Sequence, residues 1–286
     1  MRRHKTRCNT HALLFSFLLT LCVICLFLWV AFLVSDANAA VSMPTEEKIG
    51  IESLLRKRTL SEEDYALLYR QTGLTKIGID RALAHGEGGI VRILSVQACR
   101  FTKYEVEHDV FAPLMCTDYL ADGKLSVAGF LEDGDILITS STHFSAFRMG
   151  HAGIVTDAER GEVLQATAYG QTSRIGTVGD FTNRMNFMIL RPKADAATRK
   201  AVAKYARENL HGIPYHAFAG ILTGKNTVAV GTQCAHLVWY AYATAAGIDL
   251  CDHALVLPYD LATSNKVEVV QVFGFDQKTL WSAPFS

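Results

Sequence analysis

Three side chains of the sequence, those of Cys234, His151 and Gln165, are of the types that perform nucleophilic catalysis together. A cysteine sulfur attacks a carbonyl carbon once a neighbouring imidazole accepts its proton. That imidazole needs its far nitrogen held in place, and a glutamine amide oxygen can accept the N–H of this nitrogen. We therefore predict a triad in which Cys234 is the nucleophile, His151 is the general base and Gln165 orients the ring.

The residues around Cys234 predict a buried helix over about 233–246. Thr232 can cap a helix, Gly231 permits a tight turn before it, and the residues that follow are apolar at helical spacing. In the first turn, unpaired backbone N–H groups and the positive end of the helix dipole favour a thiolate over a thiol. The sequence thus predicts a reactive Cys234, although a lone cysteine is more often a small core residue.

The residues around His151 predict a β-hairpin, with two apolar runs on either side of a polar turn at Asp157–Gly161. Residues equally far from such a turn face each other across the strands. His151 and Gln165 are then directly opposite or on a diagonal, and the sequence leaves this register open. Taken singly, the histidine could be a core residue and the glutamine a polar hairpin residue.

The rest of the chain predicts an α+β fold. Hydroxyl residues followed by acids predict helix starts at Thr45 and Ser61, and a third helix is expected from Thr75 to Gly86, so that residues 41–88 form a helical extension. A further helix is expected over about 195–210. Short runs of β-forming residues predict strands at 90–96, 135–139, 152–156, 163–168, 187–190 and 267–275.

The amino terminus has the pattern of a targeting segment. A basic cluster of Arg2, Arg3, Lys5 and Arg7 precedes an uncharged apolar run over residues 12–34. At ~1.5 Å per residue this run forms a helix of ~34 Å, which is long enough to cross a bilayer core of ~30 Å. Its length favours a retained anchor, whereas the small residues that follow favour signal cleavage after residue 39. In either case the positive-inside rule predicts export of residues 40–286, to the periplasm, the medium or the outer face of the cytoplasmic membrane.

Charge and cysteine content exclude some classes of function. Lys and Arg number 28, as do Asp and Glu, and four of the basic residues belong to the amino-terminal cluster. The rest of the chain is therefore slightly acidic and has no basic stripe, which argues against a nucleic-acid partner. Cys99 and Cys116 could form a disulfide, one of three pairings open to the four cysteines outside the targeting segment. Cys251 and His253 have no second ligand pair at metal-site spacing, so we predict no metal and no cofactor.

The order of these motifs resembles the permuted papain-like hydrolases of the NlpC superfamily, in particular the YiiX-like group. In permuted members the histidine hairpin precedes the cysteine helix, as His151 precedes Cys234 here. Residues 60–74 also resemble an extension found before such domains. The matching segments, within residues 130–275, are DGDILIT, GHAGIV, EVLQA, GIPYHAF, TQCAHLVWYAY and LPYDLATS.

The resemblance implies an α+β fold in which an antiparallel half-barrel sheet packs on the cysteine-bearing helix behind an N-terminal helical extension. We expect a signal peptide or transmembrane anchor at 1–39, a helical extension and linker at 40–124, and a permuted NlpC-like catalytic domain at 125–286. Cys234 and His151 match the family's nucleophile and base. Gln165 stands where relatives more often carry histidine or glutamate, so it can orient the ring but adds no charge that stabilises an imidazolium.

Three further residues are candidates for contact with the substrate or its oxyanion. Tyr215 in the GIPY segment could line the oxyanion side, and Gln233 could donate to an oxyanion because it is adjacent to the nucleophile. Asp135 is the third candidate, although it could instead belong to the start of a strand.

The resemblance and the export signal together imply a thiol hydrolase, a peptidase or amidase that cleaves amide bonds in cell-wall peptides. A lipid-directed thioesterase or acyltransferase, similar to the lecithin-retinol acyltransferase relatives, is the first alternative. An apolar groove beside His151 and proximity to the membrane would favour it. The second alternative is a non-catalytic binding domain with a vestigial triad. The expected partners are thus a cell-wall peptide or a lipid-like acyl substrate, and the membrane through residues 12–34.

Overall fold

The computed structural model describes residues 7–276 as an α+β protein with two antiparallel sheets and a long N-terminal helix. Arg2, Arg3 and Lys5 of the predicted targeting segment lie outside the described residues. The strands are β1 (Val106–Ala112), β2 (Met115–Leu120), β3 (Ile136–Thr139), β4 (Thr142–Phe144), β5 (His151–Asp157), β6 (Glu162–Gln165), β7 (Arg174–Thr177), β8 (Phe187–Pro192) and β9 (Val267–Phe273). The helices are α1 (Arg7–Ala37), α2 (Glu52–Leu55), α3 (Glu62–Thr72), α4 (Lys76–Leu83), α5 (Glu87–Arg100), α6 (Gly179–Thr182), α7 (Ala196–Asn209), α8 (Cys234–Ala246) and α9 (Pro258–Thr263).

The larger sheet has six strands in the order β7-β6-β5-β3-β8-β9, and every neighbouring pair is antiparallel. Because successive side chains of a strand point to opposite faces, Ile136 and Ile138 pack towards α7 and α8 while Leu137 packs into a second core with Phe181 and Phe187. The central strand β3 is consequently buried at every position. The sheet therefore has a hydrophobic core on both of its faces.

Helix α8 is almost wholly apolar because it lies inside the first of these cores, where Leu237, Val238 and Tyr242 are fully buried. It ends at Gly247, whose φ of 66° lies in the left-handed region where glycine carries no Cβ penalty. The helix begins at Cys234 and packs beside β5, an inner strand of the larger sheet.

The helical extension is present, but one of its predicted starts is wrong. Ser61 caps α3 as expected, since its hydroxyl accepts a hydrogen bond from Asp64 N at 3.2 Å. Thr45 starts no helix, because the following backbone is held by the Gln71 side chain, which bonds Ile49 N and Glu47 O at 3.1 and 2.9 Å. The first helix of the extension is the short α2 instead.

The strand predicted at 90–96 is wrong, because these residues lie inside α5. Their β-branched side chains suggest a strand, yet Ile90, Ile93 and Val96 recur at a spacing of three and are all buried. Arg92 lies between them on the exposed face. The helical period of the buried residues therefore outweighs the β propensity of the run.

The smaller sheet, in the order β1-β2-β4, lies within and just after the segment predicted as a linker. Strand β1 is exposed at most of its positions, so it lacks the alternation that would identify a strand. The structure also adds β7, α6 and α9 to the predicted elements. Cys99 and Cys116 are both free, so the disulfide considered for them is absent.

Helix α1 is long and apolar enough to span a membrane over His11–Ala37, which fits either a signal sequence or an anchor. Most of its side chains are exposed, and its last turns contact the smaller sheet. Phe32 is buried against the His143 ring at 5.9 Å, and Ser145 Oγ donates a hydrogen bond to Leu28 O at 2.8 Å. The helix thus leaves the body of the protein from the side that carries the smaller sheet.

Candidate active site

The hairpin of β5 and β6 brings His151 next to Gln165 on a diagonal. Gln165 lies opposite Gly153, and a bulge between Val155 and Asp157 sets this register. His151 comes two residues before Gly153 on β5, so its side chain lies on the same face of the sheet as that of Gln165. Its Nε2 lies 2.7 Å from Gln165 Oε1. The structure therefore contains the contact expected from the sequence and decides between the two registers that were left open.

A third residue, Asp180 of α6, fixes which way the Gln165 amide faces. Gln165 Nε2 donates to Asp180 Oδ2 at 2.5 Å, and this carboxylate oxygen also accepts Thr177 N at 3.1 Å. Since an ionised carboxylate only accepts hydrogen bonds, the amide NH2 must face Asp180 and the amide oxygen must face His151. His151 Nε2 then carries the hydrogen, which leaves Nδ1 with the lone pair of a base.

Gly176 on β7 permits this chain of contacts because a side chain there would collide with it. A Cβ at position 176 would lie 2.1 Å from Asp180 Oδ2 and 2.2 Å from Gln165 Nε2. The close approach explains a glycine in the middle of a strand. Neither Gly176 nor Asp180 stood out in the sequence, because β7 and α6 lack a strong apolar pattern.

Asp180→Asn should slow any reaction that uses His151 as its base by roughly 10- to 100-fold in kcat, with little change in KM, the range found when the partner that orients a metal-ligating histidine is removed. An asparagine amide can donate as well as accept, so the Gln165 amide would no longer be held with its oxygen towards His151. Steady-state kinetics would measure this. Asp157→Asn, at the far end of the same hairpin, is the matched control, and an unchanged kcat in Asp180→Asn would exclude the positioning role.

His151 is buried and neutral. Its ring is 5% exposed and stacks on Phe181 at 5.4 Å between centroids. Burial, with the nearby positive charge of Arg184, lowers the pKa of His151 to about 3, although the hydrogen bond with Gln165 opposes this. The imidazole is therefore uncharged and able to accept a proton at neutral pH.

The depressed pKa of His151, about 3 against 6.5 for the ordinary group, predicts loss of stability in acid. Between these values the unfolded chain binds a proton that the folded chain does not. Stability should therefore fall as the pH falls from 6.5 towards 3, by up to ~1.4 kcal/mol per pH unit. Urea unfolding of the wild type and of His151→Gln at several pH values would test this. The wild type should lose stability faster towards acid, and parallel losses in the two proteins would contradict the prediction.

Cys234 begins α8 with its sulfur against β5. The backbone N–H groups of Ala152 and Ala235 lie close enough to the sulfur to favour its thiolate form, and Ala152 is the residue next to His151. The helix cap is Gln233 rather than Thr232, because the Gln233 Oε1 accepts Ala235 N at 2.8 Å. Thr232 Oγ1 instead bonds the His236 ring at 2.9 Å, which turns His236 away from the site as its position on the helix predicts.

The expected resting thiolate is wrong. Burial raises the pKa of the Cys234 thiol to about 11, even though backbone N–H groups and the positive charge of Arg184 favour the thiolate. The free-energy cost of burying a charged thiolate is larger than the stabilisation that the start of the helix gives it. Only the second of these effects can be predicted from the sequence. Cys234 and His151 are thus both uncharged at neutral pH.

Of the three further candidates for substrate contact, Tyr215 and Gln233 lie at the site. The contacts of Gln233 differ from those of the predicted role. Tyr215 lines the same cavity as Cys234, and burial raises its pKa, so its hydroxyl keeps its proton and can donate. Gln233 presents an acceptor to the nucleophile, since the sulfur donates to its Oε1 at 3.3 Å, and its Nε2 donates to Val256 O. Gln233 thus turns its amide oxygen towards the sulfur and its amide nitrogen towards Val256 O, an orientation that disfavours the predicted role of oxyanion donor.

Asp135 is not a substrate residue. Its carboxylate is fully buried at the start of β3, where Arg191 donates two hydrogen bonds to it at 2.8 and 2.7 Å. It does not line the cavity that contains Cys234 and His151. The alternative considered from the sequence, a role at the start of a strand, describes its position.

The cavity has a volume of about 690 Å³, a size suited to a small-molecule or acyl-chain ligand. Arg184, which the sequence did not single out, lies in its wall with Nε donating to Asp180 O at 2.8 Å and Nη1 donating to Thr142 Oγ1 at 2.9 Å. The rest of the lining is largely apolar, and exposed apolar residues form its rim: Phe111, Met149, Tyr169 and Phe218.

No family model matches the chain, and no curated protein matches it. Among solved structures, the chain is similar to the crystal structure of the metalloprotein yiiX from Escherichia coli O157:H7, DUF1105, with 14% sequence identity and a TM-score of 0.40. The match covers 49% of this chain and 97% of that chain. The chain thus has a distant structural neighbour in the YiiX-like group, the group that its motifs resemble.

Proposed function

We propose that the protein is an exported cysteine hydrolase that forms an acyl-enzyme on Cys234. One observation supports this above all: the sulfur lies against the backbone of Ala152, beside a histidine whose Nε2 is held by Gln165 at 2.7 Å. The Asp180 contact leaves His151 Nδ1 as the base, and the nucleophile and the base line one cavity. A nucleophile, an oriented base and a cavity for the substrate are the parts that acyl transfer needs.

In the proposed reaction the sulfur forms a bond to the carbonyl carbon as its proton moves to His151 Nδ1. The carbonyl oxygen becomes an oxyanion, for which the Tyr215 hydroxyl and the Cys234 backbone N–H at the start of α8 are the candidate donors. The imidazolium then gives its proton to the leaving oxygen, sulfur or nitrogen, and the acyl group stays on Cys234. A water molecule repeats the sequence, with His151 as the base, and releases the acid.

The charge balance of this step depends on Asp180. Gln165 is neutral and Arg184 disfavours a second positive charge, so the imidazolium needs a nearby negative charge. The Asp180 carboxylate lies one amide away, hydrogen-bonded to Gln165 Nε2. We propose that it partly replaces the charge that relatives with glutamate at this position would supply.

Of the two substrate classes expected from the sequence, the cavity favours a lipid-like acyl group, held as an ester or thioester. Phe111 and Phe218 expose their rings at its rim, and Met115 and Leu255 line it. The last turns of α1 also pack on the smaller sheet, whose strands contribute to the cavity wall. A cell-wall peptide is the second candidate, because Arg174 and Arg184 in the lining could pair with its carboxylates.

The two classes are separated by incubating the full chain, in detergent or in lipid bilayers, with long-chain acyl thioesters and with cell-wall muropeptides. Mass spectrometry of the products should show release of the fatty acid by the wild type and none by Cys234→Ala. Cleavage of the muropeptides alone would uphold the hydrolase and reverse the substrate class. No thiol-dependent cleavage of either class would overturn the proposal and favour a binding domain.

A further inference from the structure

A second cluster of metal-ligand side chains lies on the smaller sheet, beneath the end of α1. It contains Asp36, His108, Cys116 and Asp118, whose potential ligand atoms all lie within 4.8 Å of one another. Cys116 and Asp118 are fully buried on β2, His108 faces Asp118 from β1, and Asp36 comes from α1. Thiol, imidazole and carboxylate groups from three separate elements therefore meet at one point.

A fifth residue, His143, directs an unpartnered nitrogen into this cluster. His143 is fully buried on β4, opposite Cys116, and its Nδ1 bonds Ser145 O at 2.7 Å. A carbonyl oxygen only accepts, so Nδ1 carries a hydrogen, and in the neutral ring this places the lone pair on Nε2. Among the described residues Nε2 has no hydrogen-bond partner, and neither does the buried Asp36 Oδ1 that it faces.

The spacing of these atoms fits a shared cation better than hydrogen bonds. His143 Nε2 lies 3.4 Å from Asp36 Oδ1 and 3.5 Å from Asp118 Oδ1. Ligands at ~2.0–2.1 Å from a tetrahedral zinc ion are ~3.3–3.4 Å apart, whereas hydrogen-bonded atoms are ~2.8–3.0 Å apart. With His143 in its neutral form, the Nε2 lone pair and the carboxylate oxygens of Asp36 and Asp118 repel one another at these distances, and a cation between them would remove the repulsion.

The surrounding contacts resemble the outer partners of a metal site. The His143 ring is oriented by its Nδ1–H to a backbone carbonyl, the usual arrangement for a histidine that ligates through its other nitrogen. Arg148 holds Asp118 from the other side, since its Nη1 donates to Oδ2 at 2.7 Å, while His108 Nδ1 lies 2.8 Å from Oδ1, the oxygen that faces His143. The Asp118 carboxylate is thereby fixed in its orientation towards the cluster.

We propose that Asp36, Cys116, Asp118 and His143 bind a zinc ion. The combination of thiolate, imidazole and carboxylates is characteristic of Zn²⁺, which is bound by four ligands in structural sites. Cys116 loses its proton on binding, so uptake of the metal releases a proton. The proposed ligand His143 lines the same cavity as Cys234, whereas Asp36, Cys116 and Asp118 do not, so the ion would lie behind the cavity wall and hold α1 on the smaller sheet.

The position of Asp36 gives the site a consequence for the membrane helix. Asp36 belongs to α1 and precedes residue 39, the last residue before the predicted cleavage position. Cleavage there would remove one ligand, so the complete site exists only in a chain that keeps α1. Bound zinc would then clamp the end of the membrane helix to the sheet whose Thr117 and Thr142 line the cavity.

The test is the metal content of the full chain, purified in detergent after growth with zinc and dialysis against metal-free buffer. Elemental mass spectrometry should find one zinc ion per chain in the wild type and a loss of at least tenfold in Cys116→Ser and His143→Ala. Cys99→Ser, which changes another free cysteine, and Cys234→Ala should both keep the metal. Loss of zinc from Cys234→Ala would instead assign the metal to the catalytic cysteine and overturn the proposal.

Two further measurements keep the test decisive if a core variant fails to fold. Asp36→Asn changes the ligand on α1, whose side chain is 18% exposed, and should weaken zinc binding at least tenfold without unfolding the sheet. Replacement of zinc by Co²⁺ should give a thiolate-to-metal absorption band in the wild type and in Cys234→Ala. A wild type that takes up neither metal, or that keeps full affinity in Asp36→Asn, would contradict the site.

Discussion

Cys234→Ala should lower kcat for acyl hydrolysis by roughly 10⁴- to 10⁶-fold, as removal of a catalytic nucleophile does. The sulfur lies at the edge of the cavity, and its loss removes one atom from a well-packed helix start, so the fold should persist at a cost of about 1 kcal/mol. The thermal unfolding midpoint should therefore change little while turnover is lost. Rates measured with an acyl thioester would test this.

His151→Ala should be similarly inactive, and the double variant should be no worse than either single one, because the two residues act as one unit. Cys99→Ala is the matched control, since Cys99 is a free cysteine of α5 outside the cavity. A Cys234→Ala protein that retains more than about a tenth of wild-type kcat would exclude the covalent mechanism.

Arg191→Met should destabilise the fold by about 3–5 kcal/mol, the usual cost of leaving a buried charge unpaired. Asp135 is fully buried at the start of β3, and both of its oxygens accept from the Arg191 guanidinium on β8. Arg191 also pairs with Glu132 at 3.1 Å. Removing the guanidinium leaves the Asp135 carboxylate buried and unpaired beside β3, the central strand of the larger sheet. Equilibrium unfolding in urea would measure the loss.

Removal of both charges should recover much of this stability, because an apolar pair has no buried charge left to desolvate. The double variant Arg191→Met/Asp135→Leu is therefore predicted to be more stable than Arg191→Met alone. Arg160→Met is the control for an exposed arginine, since its side chain is 71% exposed and should cost less than ~0.5 kcal/mol. A loss below about 1 kcal/mol in Arg191→Met would mean that the pair is not a structural requirement.

The β5–β6 hairpin and the contact between His151 and Gln165 could be predicted because they depend on short-range patterns. A polar turn between two apolar runs sets His151 near Gln165 within a register of a few residues. The start of α8 is likewise marked by local residues, although the capping side chain is Gln233 instead of Thr232. The packing of this hairpin against the Cys234 helix was expected from the order of the motifs along the chain. The hydrophobic periodicity of the two segments does not predict it.

The residues that the sequence did not reveal come from the segment between β7 and β8. Asp180 and Arg184 lie on or just after a four-residue helix, and only the fold of the larger sheet brings them to His151. The smaller sheet was missed because strand β1 is polar and exposed. The sequence shows that Cys234 begins a helix, which favours a thiolate, because a helix start is a local pattern. It does not show the burial that keeps the thiol protonated, because burial depends on tertiary packing.

An acyl-enzyme on Cys234 can be detected by intact-mass spectrometry of the protein quenched soon after mixing with an activated long-chain acyl ester. We expect a mass increase of one acyl group, located by peptide mapping on Cys234, slower to form in His151→Ala and absent in Cys234→Ala. Acylation of another residue at the same rate in Cys234→Ala would contradict this expectation.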